Sequence, residues 1–143
     1  MRRNLVFKSE RSPLTTLIIL GATILIIVCC INIIQHGGTG QWFVIVLALV
    51  AAMMLWMWFR TYYEIDEKNI WYRSGPVNGS VQISAIKTIS KNQRLYSGLK
   101  PALGMNGCVI YYNKYDEIYF SPKDKDGFVA ALLHINPAIE IIT

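Results

Sequence analysis

LTTLIILGATILIIVCCINII (residues 14–34) and WFVIVLALVAAMMLWMWF (residues 42–59) contain no Asp, Glu, Lys, Arg or His. A run of about 18 or more such residues is long enough to cross roughly 30 Å of hydrocarbon as a helix. The intervening residues 35–41 hold three glycines and no Lys or Arg. The pair therefore predicts an antiparallel transmembrane hairpin, residues 14–59, with a basic arm before it (1–13) and a polar module after it (60–143).

Composition follows that division. The chain is 53% hydrophobic and 16% charged, against about 25% charged for an average soluble domain. Most of the charge lies after Arg60, and that length suffices for one small core.

Charge also sets the expected orientation. Of the formal +5, Arg2, Arg3, Lys8 and Arg11 against the single acid Glu10 carry +3, Arg60 carries +1, and residues 61–143 carry the remaining +1. Basic residues flank both outer ends of the hairpin and avoid its loop, so the positive-inside bias places the N-terminus and the polar module in the cytoplasm. Trp42 at one end and Trp56, Trp58 and Phe59 at the other suit the two interfacial belts. Juxtamembrane cations gain about 1 kcal/mol each beside an anionic leaflet, which lays the arm along the membrane surface.

The first run exceeds the roughly 7–15 apolar residues of a signal core and ends without small residues, which argues against cleavage. Cys29, Cys30 and Cys108 make no complete disulfide set and read as reduced thiols. Inside the runs the only polar side chains are Thr15, Thr16, Thr23 and Asn32. Pumps and ion pathways use ionisable groups within the membrane, so the hairpin reads as an anchor. Gly21 and Ala22 fall level with Ala52 and Ala51 when counted inward, and Ala48 with Ala52 forms a small-xxx-small pair, so these five are the expected helix–helix contact.

In the polar module the pattern turns to short strands divided by turn residues. Expected strands are 62–65, 69–74, 80–83, 88–94, 102–105, 108–113 and 117–120. Asn78-Gly79 and Asn106-Gly107 are expected tight turns, because both residues tolerate φ > 0. A closing helix is expected with Ser121 as its cap, Pro122 at its first position and Asp124 completing the capping box. Phe128, Val129, Leu132, Leu133 and Ile135 form its apolar stripe, and Asn136-Pro137 stops it.

Pro101-Ala102-Leu103, the following hairpin, then Ile118-Tyr119-Phe120-Ser121-Pro122-Lys123-Asp124, Phe128, Leu132 and Asn136-Pro137 together resemble the YyaB-like bacterial pleckstrin-homology (PH) domains. Gly104 stands where that family usually has Ser. The resemblance covers about residues 62–139. It implies an α+β fold, a seven-stranded split β-barrel capped by a C-terminal helix, often tethered behind one or two spans in the bacterial inner membrane. It carries no established reaction.

Between Glu67 and Asp116 there is no acid. Lys87, Lys91, Arg94 and Lys100 are accordingly the expected basic face for phosphate headgroups or an acidic peptide. Catalytic, metal and cofactor sites are not expected. Asp124 and Asp126 lack the ligand spacing of a calcium loop and fit a helix N-terminus. Cys108 has no neighbouring histidine to serve as its base, and the glycines of the loop have no following Lys to make a phosphate loop. A module at +1 lacks the footprint of a nucleic-acid binder. One of Trp71 and Tyr72, and one of Tyr111 and Tyr112, must point outward. Two functions remain open: a non-enzymatic binding or scaffold module at the inner leaflet, holding a protein segment or an anionic headgroup, and a non-catalytic subunit of a larger membrane complex. Partners are membrane lipid, an integral membrane protein or an acidic peptide, with self-association open.

Overall fold

The structure, a computed structural model, describes residues 4–37, 40–92 and 102–143. In chain order it contains β1 (Leu5–Lys8), α1 (Pro13–His36), α2 (Gln41–Phe59), β2 (Thr61–Ile65), β3 (Asn69–Ser74), β4 (Val77–Gln82), a 3-10 turn (Ile83–Ala85), β5 (Ile86–Lys91), β6 (Cys108–Tyr112), β7 (Asp116–Phe120), α3 (Lys125–Ile135) and β8 (Glu140–Ile142).

The two helices have the length and apolarity to cross a membrane, about 36 and 28 Å at 1.5 Å per residue. Neither contains a buried residue. Their polar side chains bond within the same helix: the Thr16 hydroxyl donates to Ser12 O, Thr23 to Ile19 O, and the Asn32 amide to Val28 O. α1 and α2 pack on each other through half-buried stripes at helical spacing, Ile19, Ala22 and Ile26 on one and Val44, Leu47, Ala51 and Met54 on the other. Of the five expected contact residues, Ala22 and Ala51 lie on these stripes. Gly21, Ala48 and Ala52 are exposed, and a Cβ at Gly21 would meet nothing within 4 Å. Equal depth does not ensure a shared face, because one residue of offset rotates a side chain by about 100°.

The rest of the chain forms two four-stranded sheets, ordered β1-β2-β3-β4 and β7-β6-β5-β8. A seven-stranded barrel is thus replaced by two sheets that do not close. The chain leaves β4 for β5 through the 3-10 turn, whose Ile83 is buried as a corner. Among the described residues, the isolated bridge Ser9 to Pro122 also joins the segment after β1 to the segment after β7.

Three differences from the sequence reading have local causes. The described part of the expected arm 1–13 is not separate, because Leu5–Lys8 pairs antiparallel with β2 and extends its sheet. Ala102–Met105 is no strand, since the Leu103 and Gly104 amides donate to the Ser9 and Ser121 hydroxyls instead of a neighbouring ladder. β8 is an eighth strand, parallel to β5.

The turns also move. Asn78-Gly79 lies inside β4, where the Tyr72 side chain covers the space a Cβ at Gly79 would take. Gly75, at φ 57°, and Pro76 make the turn in its place. Asn106-Gly107 adds no left-handed residue; among the described non-glycine residues that conformation belongs to Asn92 and Asn113. α3 begins later than expected, with Asp124 as its cap, accepting from the Gly127 amide at 3.0 Å. It ends at Asn136 as expected.

Phe128, Val129 and Leu132 of α3 enter one core with Tyr63, Ile70, Ile89, Ile110, Ile118 and Phe120. Phe128 meets Phe7 edge-on at 5.4 Å and Phe120 at 5.9 Å. The N-terminal strand is therefore part of the core that α3 covers.

Candidate functional site

The side of the sheets nearest the helices in the chain is organised by a buried polar cluster. The Tyr63 hydroxyl donates to Ser9 Oγ at 3.3 Å and accepts from the Ser121 amide at 3.3 Å. Ser9 Oγ and Ser121 Oγ are 3.1 Å apart. The Gly104 amide donates to Ser121 Oγ at 3.0 Å, Tyr119 Oη donates to Gly104 O at 3.2 Å, and the Gly107 amide donates to Tyr119 Oη at 2.6 Å. A Cβ on Gly104 would lie 2.9 Å from Ser121 Cβ. The segments that carry the family resemblance therefore meet here: residue 103 bonds to Ser9 and residue 104 to Ser121. Burial pushes the Tyr63 and Tyr119 hydroxyls above their ordinary pKa, so they remain neutral and suit this hydrogen-bonded role.

Backbone bonds continue from the cluster to the surface. The Glu10 amide donates to Ser121 O at 2.6 Å, and the Lys123 amide donates to Lys8 O at 2.9 Å. Lys8 and Lys123, 115 positions apart in the chain, thus become neighbours. Beside them opens a cleft of about 870 Å3 whose walls include Lys8, Arg11, Lys123, Tyr62, Phe59 and the single acid Glu10. The Arg11 guanidinium lies over the Trp58 ring at 5.1 Å and the Phe59 ring at 6.0 Å, contacts that hold a cation without neutralising it. No spacing in the sequence announces this cleft; only the pairing of β1 creates it.

The expected basic face has a different character. Lys87 is exposed at the irregularity in β5 between Ile86 and Thr88. Lys91 ends the same strand and pairs with Asp126 at 3.1 Å. Arg94 and Lys100 lie outside the described residues. Lys125 turns back to donate to Asn92 Oδ1 at 2.8 Å. Asp126 is 91% exposed, so its pairing with Lys91 is worth at most about 1 kcal/mol and yields readily to another anion.

Other candidates resolve into packing. Cys108 is fully buried, and desolvation pushes its thiol up to about 12 against the weaker pull of Lys125 and Lys91. A thiol so protonated is a poor nucleophile. Asp124 caps α3 and Asp126 pairs with Lys91. Trp71 is the outward member of its pair, 47% exposed, while Tyr72 turns toward Phe120 at 5.8 Å. Tyr111 and Tyr112 are both half-buried. A second cleft, of about 570 Å3, is lined by Glu67, Lys68, Gln82 and Asn136; its opposite charges cancel.

One antiparallel and one mixed four-stranded sheet, a C-terminal helix folded into their core and no assembled catalytic group among the described residues define a PH-like unit behind two apolar helices. The family model of the bacterial PH domain matches residues 61–136, more than half of the chain, and the chain belongs to that family. Such domains commonly bind lipids or proteins and are typically non-catalytic. Among solved structures, the C-terminal domain of an unknown protein from Leishmania infantum is similar with a TM-score of 0.41 at 17% identity, over 52% of this chain and 66% of that one. No curated protein matches the chain.

Proposed function

We propose that the protein is a YyaB-like, membrane-anchored PH module that holds a protein segment or an anionic lipid headgroup against the inner leaflet of a bacterial cytoplasmic membrane. In this reading residues 14–34 and 42–59 span the bilayer, and residues 60–143, completed by Leu5–Lys8, face the cytoplasm. The observation that carries it is how the apolar helices join the sheets. Their outer surface is bare of protein contact, since neither helix contains a buried residue, yet the end of α2 is docked. Gly75 donates to Arg60 O at 3.3 Å and leaves no room for a Cβ beside Met57, and Thr61 Oγ1 donates to Met57 O at 2.6 Å and contacts Ser74 Oγ at 3.0 Å. A unit held so close to its anchor keeps any binding face at fixed height over the leaflet. Lys87, Lys91, Arg94 and Lys100 are the side chains assigned to the partner's acidic groups, with Lys91 exchanging Asp126 for them.

The test is topological. Protease added outside intact cells is expected to leave the module uncut, and alkaline carbonate to leave the chain in the membrane pellet. Digestion from outside, or release by carbonate, refutes the reading.

A second reading is favoured by one observation. Gly21, Ala48 and Ala52 are small residues on faces turned away from the hairpin contact, where close approach of further helices is easiest. On that reading the hairpin packs into a larger complex or against a second copy. Blue-native mass decides: one fixed large species supports the subunit, a small monodisperse one the free-standing module.

A further inference from the structure

Among the described residues the one ion pair is Lys91 with Asp126, so Lys8, Arg11 and Lys123, which line the cleft beside the helix ends, have no carboxylate partner there, and Glu10 is the one acid on the same walls. Gathering like charges costs energy. The gathering is nevertheless imposed by the Lys123 amide on Lys8 O, the Glu10 amide on Ser121 O and the buried Ser9 and Ser121 hydroxyls. A surface built this way is complementary to an anion.

The other walls narrow the anion's class. Val6 and Phe59 are 59% and 68% exposed, apolar surface that a free inorganic anion does not use. Tyr62 is half-buried in the same cleft. The cleft is bounded by residues 8–11, which lead into α1 at Pro13, and by Phe59, the last residue of α2. If both helices cross the bilayer, this is the level of the lipid phosphates on the side where the chain enters and leaves.

We propose that this cleft binds the headgroup of an anionic phospholipid of that leaflet, with Lys8, Arg11 and Lys123 around the phosphate and Val6 and Phe59 beside the glycerol and upper acyl chain. The assignment rests on the membrane-spanning reading above. It is separate from the β5 basic face, since none of Lys87, Lys91, Arg94 or Lys100 lines this cleft.

The full chain is reconstituted in nanodiscs of equal phosphatidylglycerol and phosphatidylcholine, transferred to mild detergent, and the retained lipid is counted by native mass spectrometry. One phosphatidylglycerol is expected to stay, enriched about tenfold or more over phosphatidylcholine, in line with the attraction of several cations for an anionic lipid. Lys8→Gln, Arg11→Gln and Lys123→Gln together are expected to abolish the preference, whereas Lys68→Gln with Lys114→Gln, at exposed residues outside both basic surfaces, leaves it unchanged. If the triple variant does not fold, Lys123→Gln alone, at an exposed residue, is expected to lower the enrichment by roughly threefold, the loss of one of three such attractions after screening. Equal retention of both lipids by the parent chain, equal loss in the control pair, or displacement of the lipid by millimolar glycerol phosphate overturns the site. A chain that fails to co-migrate with the discs overturns the spanning reading and the site with it. Co-migration without lipid preference overturns the site alone.

Discussion

The hairpin and the sheets satisfy their polar groups at opposite ranges. In the helices Thr16, Thr23 and Asn32 each bond four residues back, as Thr23 does to Ile19 O. In the sheets the hydroxyl of Ser9 meets that of Ser121 across 112 positions, and Tyr63 reaches Ser9 across 54. On the membrane-spanning reading proposed above, lipid leaves the helices no choice, since it offers neither donor nor acceptor. The sheet unit, built from few residues, instead uses a buried cluster to fasten the strand before the hairpin to the strands after it. One consequence is that the helical hairpin interrupts the sheet unit: β1 precedes both helices in sequence yet pairs with β2, which follows them.

The sharpest way to break this contrast is at Tyr63. Tyr63→Phe keeps the ring against Phe120, 5.0 Å away, and removes the hydroxyl that serves Ser9 and Ser121. Leaving a buried donor unpaired costs about 1–3 kcal/mol. The expected result is that loss from the sheet unit, read by pulse proteolysis in urea on the full chain in micelles, with the helices still protected. A loss below about 0.5 kcal/mol, the usual range of a surface substitution, would show that the cluster does not fasten β1.

The next effect is a pH dependence. Burial raises Cys108 from 9.0 to about 12 and raises Tyr63 and Tyr119 above their ordinary 10.0. The folded chain therefore holds these protons where the unfolded chain has released them. The contribution of these groups to stability is fully present below about pH 9 and falls as pH rises from there toward about 12, at up to about 1.4 kcal/mol per unit for the thiol. Midpoints measured between pH 8 and 10 are expected to fall in the parent and to flatten in Cys108→Ala, where the tyrosines alone remain. A parent midpoint that does not move with pH removes the burial argument.

Range also decides what could be read from the chain. β3, Asn69–Ser74, has its expected bounds because its aromatic and β-branched residues and flanking turns are local signals. The end of α3 at Asn136-Pro137 is local for the same reason. β1 was illegible as strand: Leu5-Val6-Phe7-Lys8 is four residues in a basic segment, and its partner begins 53 positions after it ends. β8 depends on α3 setting Glu140–Ile142 beside β5. Asn78-Gly79 carried true turn chemistry and was overruled by Tyr72 filling the glycine's space across the ladder. Of the basic residues, Lys87 and Lys91 stood out through an acid-free stretch. The cleft cations did not, because Lys123 joins Lys8 and Arg11 only through the pairing of β1 and the bridge at Pro122.

The smallest expected effect tests the other half of the contrast. Thr23→Val removes the one polar group in the middle of α1, where its hydroxyl donates to Ile19 O at 2.7 Å. That carbonyl also accepts the ordinary helical amide bond, so the side chain relieves its own polarity and adds nothing to the fold. Valine is nearly the same shape and apolar, and in lipid it asks for no partner. Membrane retention and helix–helix cross-linking are expected to match the parent, and hairpin stability to change by less than about 0.5 kcal/mol, the spread of substitutions that disturb no specific feature. A larger loss would mean that Thr23 bonds outside its own helix, to a partner helix in the bilayer. The hairpin would then be more than an anchor, and the reading as part of a larger complex would gain on the free-standing module.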